Sequence, residues 1–219
     1  MACGRFSFIA EAGLRHPQIH PPLDALVETA RARLSPRRFL HSLGFCHTAM
    51  ALASRWGANV ASAAMVGVFH DLAKELSPEA LRADLRARGH SVAPEDEPFQ
   101  LVWHGQLAAV WAEQDHGVED PATLEAIRLH ATADAGVSLL TRIAFVADMT
   151  EPTRDWRGIE EVRRLARTDF DAAFLATMKR KIEHLLERNK RVHPRAMRAL
   201  QAFAPAVTPL VEEETYGTR

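Results

Sequence analysis

The chain has 219 residues, 47% of them hydrophobic and 25% charged, and its formal net charge is −1 at pH 7. This composition is typical of a folded globular protein, and the balanced charge argues against general binding to nucleic acid or to a membrane surface. Two cysteines, no apolar run of ~18 residues and no signal-peptide core lead us to expect a cytoplasmic protein that does not span a membrane.

Periodicity and proline content divide the chain into three segments. Residues 1–22 are predicted to be an extended leader, because His16–Pro22 is rich in proline and shows no helical spacing. From residue 23 to residue 204, apolar residues recur at helical spacing and no segment alternates like a strand, so we expect one all-α domain. Residues 205–219 are predicted to form a flexible polar tail.

Capping signals mark the predicted helices. Serine, asparagine or aspartate stands before several apolar runs, often with proline at the next position. The second helix, from Pro36 to Trp56, is apolar on two sides, so we expect it near the centre of a bundle. The predicted helices span residues 23–34, 36–56, 59–71, 77–88, 103–116, 120–130, 138–148, 159–167, 169–190 and 193–203.

A His-Asp pair, His70-Asp71, ends the apolar run Ala61–Phe69. Burying an imidazole and a carboxylate is costly unless something pairs with them, and a metal ion is an efficient partner. Lys74 follows on the same helical face, where it could bind phosphate. A His-Asp dipeptide also arises by chance, so the pair gains meaning only if further ligands lie on other helices.

Four such candidates occur, each with an ordinary alternative. His41 lies on the two-sided helix and could be a core histidine bonded to a carbonyl. His104 stands where the chain enters a helix, and His130 near a helix end could be a dipole partner. Asp148 ends a nearly all-apolar helix, where the helix dipole repels a carboxylate, so metal ligation explains it better.

Arg154, in the turn after Asp148, is a further candidate because its guanidinium could bind a phosphate group. The alternative is an ion pair with Asp155 or Glu151.

These candidates fall within local motifs that resemble those of the HD-domain metal-dependent phosphohydrolases, and more closely the YqeK-type branch. The resemblance covers about residues 23–203, and its most specific motif is the last. The motifs are Arg38–Ser42 (RFLHS), Phe69–Lys74 (FHDLAK), Val102–His104 (VWH), Ala126–His130 (AIRLH) and Val146–Arg154 (VADMTEPTR).

One departure concerns the turn after His130. The branch usually has threonine and a glycine-containing turn there, whereas this chain has Ala131–Gly136 with Asp134 inside it. We expect Asp134 to place negative charge near the path of an anionic substrate.

The resemblance implies an HD-domain helical bundle that cleaves diadenosine tetraphosphate symmetrically to two ADP, through a hydroxide bridging two divalent ions. The donor types favour iron, manganese, cobalt or zinc over magnesium, and we expect iron as the metal, with the other three as alternatives. By analogy, Asp71 bridges the ions and acts in catalysis with Lys74 and Arg154. The first ion would be held by His41, His70, Asp71 and Asp148, and the second by Asp71, His104 and His130.

Lys74 and Arg154, with His104 and His130, would also bind the substrate. The expected partner is a dinucleoside polyphosphate, and a homodimer is possible. Two alternatives stay open: a nucleotidase acting on other anionic nucleotides, including guanosine polyphosphates, and a metal-binding or nucleotide-sensing module without turnover.

Overall fold

The computed structural model describes residues 23–204, so the predicted leader and tail lie outside the described residues. Within 23–204 the chain is all-α, as predicted, and contains no strand. The helices are α1 (Leu23–Arg33), α2 (Pro36–Trp56), α3 (Val60–Phe69), α4 (Pro78–Ala87), a 3-10 helix (Gln100–Val102), α5 (Trp103–His116), α6 (Pro121–Leu129), α7 (Leu139–Thr150), α8 (Ile159–Thr168), α9 (Phe170–Glu187) and α10 (Pro194–Phe203).

The predicted caps account for where most of these helices begin. A side-chain oxygen accepts a hydrogen bond from the backbone N–H three residues on at Asn59, Ser77, Asp120 and Ser138. Ser35 differs, because its hydroxyl donates to Glu75 at 2.5 Å and makes no cap bond. Gly57 ends α2 in the left-handed region, at φ 78°, which favours glycine.

Helix α2 lies among α1, α3, α7 and α8 and is buried on two sides. Phe45 and Leu52 are buried on one side, and Cys46 and Ala53 on the other. The two-sided pattern therefore reflects a central helix, as predicted. None of the helices between residues 23 and 204 combines the length and apolarity needed to cross a bilayer.

Three predicted helix ends are corrected. Helix α3 stops at Phe69, so His70 and Asp71 lie in the following turns, and α6 stops at Leu129, one residue before His130. Both imidazoles turn back onto the last helical turn, where their Nδ1 atoms reach backbone carbonyls. Helix α9 ends at Glu187 rather than near residue 190, and Leu186 of its predicted core stripe is exposed.

Candidate metal centre and substrate cleft

The ends and inner faces of five helices bring six predicted side chains together. All six are buried, with exposed fractions from 0% for His70 to 9% for Asp148. They are His41 from α2, His70 and Asp71 after α3, His104 from α5, His130 after α6, and Asp148 from the last turn of α7.

Asp71 stands between two pairs of histidines. Its Oδ2 atom lies 3.9 Å from the Nε2 atoms of both His41 and His70. Its Oδ1 atom lies 3.2 Å from Nε2 of His104 and 3.8 Å from Nε2 of His130. One carboxylate therefore belongs to two ligand groups, His41–His70–Asp71 and Asp71–His104–His130.

Spacing within each group suits a divalent ion. The Nε2 atoms are 3.2 Å apart in the His41–His70 pair and 3.1 Å apart in the His104–His130 pair. Asp148 Oδ1 lies 3.3 Å from Nε2 of His41. Ligand–metal bonds of 2.0–2.2 Å place neighbouring ligand atoms about 3.0–3.6 Å apart, a range that the two histidine pairs, the His41–Asp148 pair and the His104–Asp71 pair meet. The other Asp71 separations, at 3.8–3.9 Å, are slightly longer.

Backbone carbonyls fix two of these imidazoles. His70 Nδ1 lies 2.9 Å from the Gly67 carbonyl, and His130 Nδ1 lies 2.9 Å from the Ile127 carbonyl. A carbonyl can only accept, so each Nδ1 carries the proton and each Nε2 presents its lone pair to the cluster. This arrangement is typical of metal-binding histidines.

Burial keeps three of the histidines neutral. It lowers the pKa of His70 and His130 to about 3 and that of His104 to about 4. Burial has this effect because it disfavours the charged imidazolium. At neutral pH these side chains are in the form that binds metal.

His41 behaves differently because two carboxylates face it. Burial lowers its pKa, but hydrogen bonds with Asp148 and Glu151 outweigh burial and raise the pKa to about 9. Glu151 is fully buried, and its Oε1 atom lies 3.0 Å from His41 Nδ1. Although burial opposes ionisation of Glu151, hydrogen bonds from His41 and Thr153 keep its pKa below the usual range.

Glu151 reaches His41 because Gly44 leaves room on α2. A Cβ atom at position 44 would overlap the Glu151 carboxylate and lie 3.3 Å from the Pro152 ring. Sequence reasoning treated Glu151 only as a possible partner of Arg154. Its position three residues after Asp148 was the signal in the sequence that could have placed Glu151 near the cluster.

Four cations surround the two carboxylates of the cluster. Arg38 Nη1 lies 2.5 Å from Asp71, and Lys74 Nζ lies 3.9 Å from Asp71 and 3.1 Å from Nε2 of His104. Arg154 Nη2 lies 2.6 Å from Asp148, and Lys181 Nζ lies 3.5 Å from Asp148. Asp71 and Asp148 thus each have a pair of cations beside them.

Three of these contacts differ from the sequence analysis. The closest carboxylate to Arg154 belongs to Asp148, rather than to Asp155 or Glu151. Arg38 was not singled out, although it precedes His41 by one helical turn. Lys181 was missed because it comes from α9, far away in sequence, and no local motif marks it.

A cleft of about 1060 Å³ opens onto the cluster and carries an excess of positive charge. Its lining includes Asp71, Asp148, Glu97 and Asp155 as carboxylates. The basic side chains that line it are Arg38, Lys74, Arg154, Arg180, Lys181, Lys190 and Arg191. The volume and the charge suit a large polyanion.

Asp134 does not take the place expected for it. It does not line the cleft, and Arg198 of α10 holds both of its oxygens, at 2.9 and 2.8 Å. A second arginine, Arg195, places its Nε atom 3.7 Å from Oδ2 of Asp134. We therefore correct the expectation that Asp134 places negative charge near the path of the substrate, because these arginines neutralise its carboxylate.

The six clustered side chains lie within a region of the chain that matches a known protein family. The model of the HD domain family matches residues 38–153, a range that contains all six clustered side chains. The chain belongs to the HD domain family. The predicted resemblance is confirmed, and the use of divalent metal that this family implies agrees with the two ligand groups.

Individual relatives cover most of the chain. A protein of Bacillus subtilis (strain 168), named "Bis(5'-nucleosyl)-tetraphosphatase, symmetrical", is 33% identical over 75% of this chain and 88% of its own length. A protein of Halalkalibacterium halodurans with the same name is 32% identical over 77% of this chain and 89% of its own. The prediction of an HD-domain hydrolase is confirmed by these relatives.

A solved structure shows the same fold. It is a crystal structure from Clostridium acetobutylicum, described as a predicted HD superfamily hydrolase involved in NAD metabolism. It matches with a TM-score of 0.78 and 28% identity, over 84% of this chain and 97% of its own.

Proposed function

We propose that this protein hydrolyses diadenosine tetraphosphate symmetrically to two ADP. The observation that carries the proposal is the position of Asp71, with one oxygen toward each histidine pair, at the edge of a basic cleft. Relatives named for this activity, matched over nearly nine tenths of their own length, support the choice of substrate.

The ligand set is part of the proposal. His41, His70, Asp71 and Asp148 would hold one ion, while Asp71, His104 and His130 would hold the other. When bound, two such ions supply Lewis acidity toward phosphoryl oxygens and generate a nucleophile from water. Imidazoles dominate the donor set, which favours iron, manganese, cobalt or zinc over magnesium, and iron is the metal that we expect.

The cations of the chain would bind and orient the phosphates. Arg38 and Lys74 lie beside Asp71, and Arg154 and Lys181 lie beside Asp148. These four cations would hold the phosphates of a tetraphosphate, with its central linkage next to the six clustered side chains. Fixed cations also stabilise the negative charge that develops on the transferred phosphoryl oxygens.

The bond broken is the one between the central bridging oxygen and one of its two phosphorus atoms. Water supplies the new oxygen on that phosphorus, and the bridging oxygen leaves with the other half. Both halves are then ADP.

A nucleotide panel tests the proposal against its alternatives. Purified protein with added iron, manganese or cobalt is offered diadenosine tetraphosphate, mononucleotides and guanosine polyphosphates, and Asp71→Ala serves as the control. We expect the highest kcat/KM with diadenosine tetraphosphate and none with the variant. A higher kcat/KM with a guanosine polyphosphate would support the broader nucleotidase, and binding without turnover would support a sensing module.

We propose a cytoplasmic location, which cell fractionation tests, and a homodimer, which sedimentation equilibrium tests.

A further inference from the structure

The segment that leads into α5 carries an apolar surface on one wall of the cleft. Leu101 is 65% exposed, the highest value among the large apolar side chains between residues 23 and 204. Phe99 lies two residues earlier and is half-buried. The guanidinium of Arg191, from the linker between α9 and α10, lies 5.1 Å from the centroid of the Phe99 ring. All three side chains line the cleft.

Lys74 connects this surface with the ligand cluster. Its Nζ atom donates to the Leu101 carbonyl at 3.3 Å and lies 3.1 Å from Nε2 of His104. A phosphate bound at Lys74 would therefore have the ligand cluster on one side and the apolar surface on the other. This is the order of groups along a nucleotide, from phosphate to base.

The segment is held firmly enough to act as a wall. Trp103, between Leu101 and His104, is buried, and its indole N–H donates to the Asp96 carbonyl at 2.7 Å. The Asp96 carboxylate accepts from Arg195 of α10 at 2.5 Å and lies 2.9 Å from His193 Nε2. Leu101 is therefore exposed on a segment that hydrogen bonds hold in place.

We propose that Phe99, Leu101 and Arg191 form a platform for the nucleobase of one ADP half of the substrate. Naming that occupant rests on the proposed function. An aromatic ring, a guanidinium and an exposed aliphatic side chain offer stacking and apolar contact to a planar base. Because stacking reads the face of a base rather than its edge, adenine and guanine should both be accepted.

Binding of ADP and of inorganic pyrophosphate separates the platform from the phosphate site. We would measure both ligands by calorimetry with manganese-loaded protein, in the wild type, Leu101→Ala and Phe99→Ala. Leu40→Ala is the matched control, because Leu40 is 57% exposed and does not line the cleft. Leu101→Ala keeps the backbone carbonyl that Lys74 contacts.

We expect ADP to bind about fivefold more weakly to Leu101→Ala and about tenfold more weakly to Phe99→Ala, with pyrophosphate affinity unchanged. The control should match the wild type. Unchanged ADP affinity in both cleft variants would overturn the platform. Equal loss of pyrophosphate affinity would also overturn it, because the effect would then not concern the base.

Turnover of diadenosine tetraphosphate, measured on the same samples, keeps the two proposals apart. If ADP binding depends on Leu101 and Phe99 while the wild type releases no ADP from the dinucleotide, the platform stands and the proposed function fails. If turnover is present and ADP binding ignores both side chains, the proposed function stands and the platform fails.

Discussion

At the scale of single residues, Asp71 is the shared member of two groups that could each hold a metal ion. Because its two oxygens face different histidine pairs, Asp71→Ala should abolish tight binding of both ions. His104→Ala removes a side chain from one group only and should leave one ion per chain. Elemental analysis of protein purified without added metal measures the difference.

A matched control for these variants is His47→Ala, because His47 is an exposed histidine on the same helix as His41. It should keep the metal content of the wild type. Full metal content in Asp71→Ala, or equal losses in Asp71→Ala and His104→Ala, would show that the ligand sets are misassigned.

We expect Arg154 to act through its charge and not as a metal ligand. Arg154→Ala should lower kcat/KM by on the order of tenfold to a hundredfold, a loss of about 1.4–3 kcal/mol of charge-assisted binding. Metal content should stay unchanged, because a guanidinium has no lone pair to offer and Arg154 is not among the proposed ligands. Arg157→Ala, an exposed arginine three residues later and outside the cleft, is the control. A loss of metal in Arg154→Ala would contradict this division of roles.

We expect His41 to make the binding of one ion depend on pH. Its raised pKa of about 9 means that at neutral pH the imidazole carries a proton, which metal must displace. Affinity should therefore rise about tenfold per pH unit from pH 6.5 and level off near pH 9. The histidines with pKa about 4 and about 3 add no slope in that range. Chelator competition, corrected for protonation of the chelator, would contradict this if the affinity did not vary with pH.

At the scale of elements, the turn after α7 packs onto α2 through Gly44. Gly44→Ala should push the Glu151 carboxylate away from His41 and lower the free energy of unfolding by about 1–3 kcal/mol. Chemical denaturation measures that loss. The same substitution in a Glu151→Ala background should cost less, since the main obstacle is gone. Additive effects of the two changes would show that the contact is unimportant.

The elements also show what sequence can and cannot provide. Most helix starts were predictable, because caps such as Asn59 and Asp120 act through the backbone three residues away. The convergence of His41 and Asp148 was predicted from the resemblance to the HD-domain family, because His41 alone is also explained as a core histidine. The positions of Lys181 and of the Leu101 surface could not be predicted, because contacts between distant segments leave no local pattern in the sequence. The end of α3 was misjudged because an apolar run does not show that His70 turns back to bond Gly67.

At the scale of the whole molecule, the helical bundle gathers the six candidate ligand side chains in its interior. Those residues span positions 41 to 148, so the cluster forms only when the bundle is folded. Helices α9 and α10 add Lys181 beside Asp148 and the arginines that neutralise Asp134. Together they place basic charge along a cleft large enough for a dinucleotide.

Product analysis after limited hydrolysis of diadenosine tetraphosphate tests the central claim most directly. The metal-loaded protein is incubated with the dinucleotide, and the nucleotides are separated by chromatography before a tenth of the substrate is consumed. With the cations beside Asp71 and Asp148 holding the central linkage at the cluster, the account predicts ADP as the single product, two per substrate. AMP and ATP in equal amounts, or no product at all, would contradict the account.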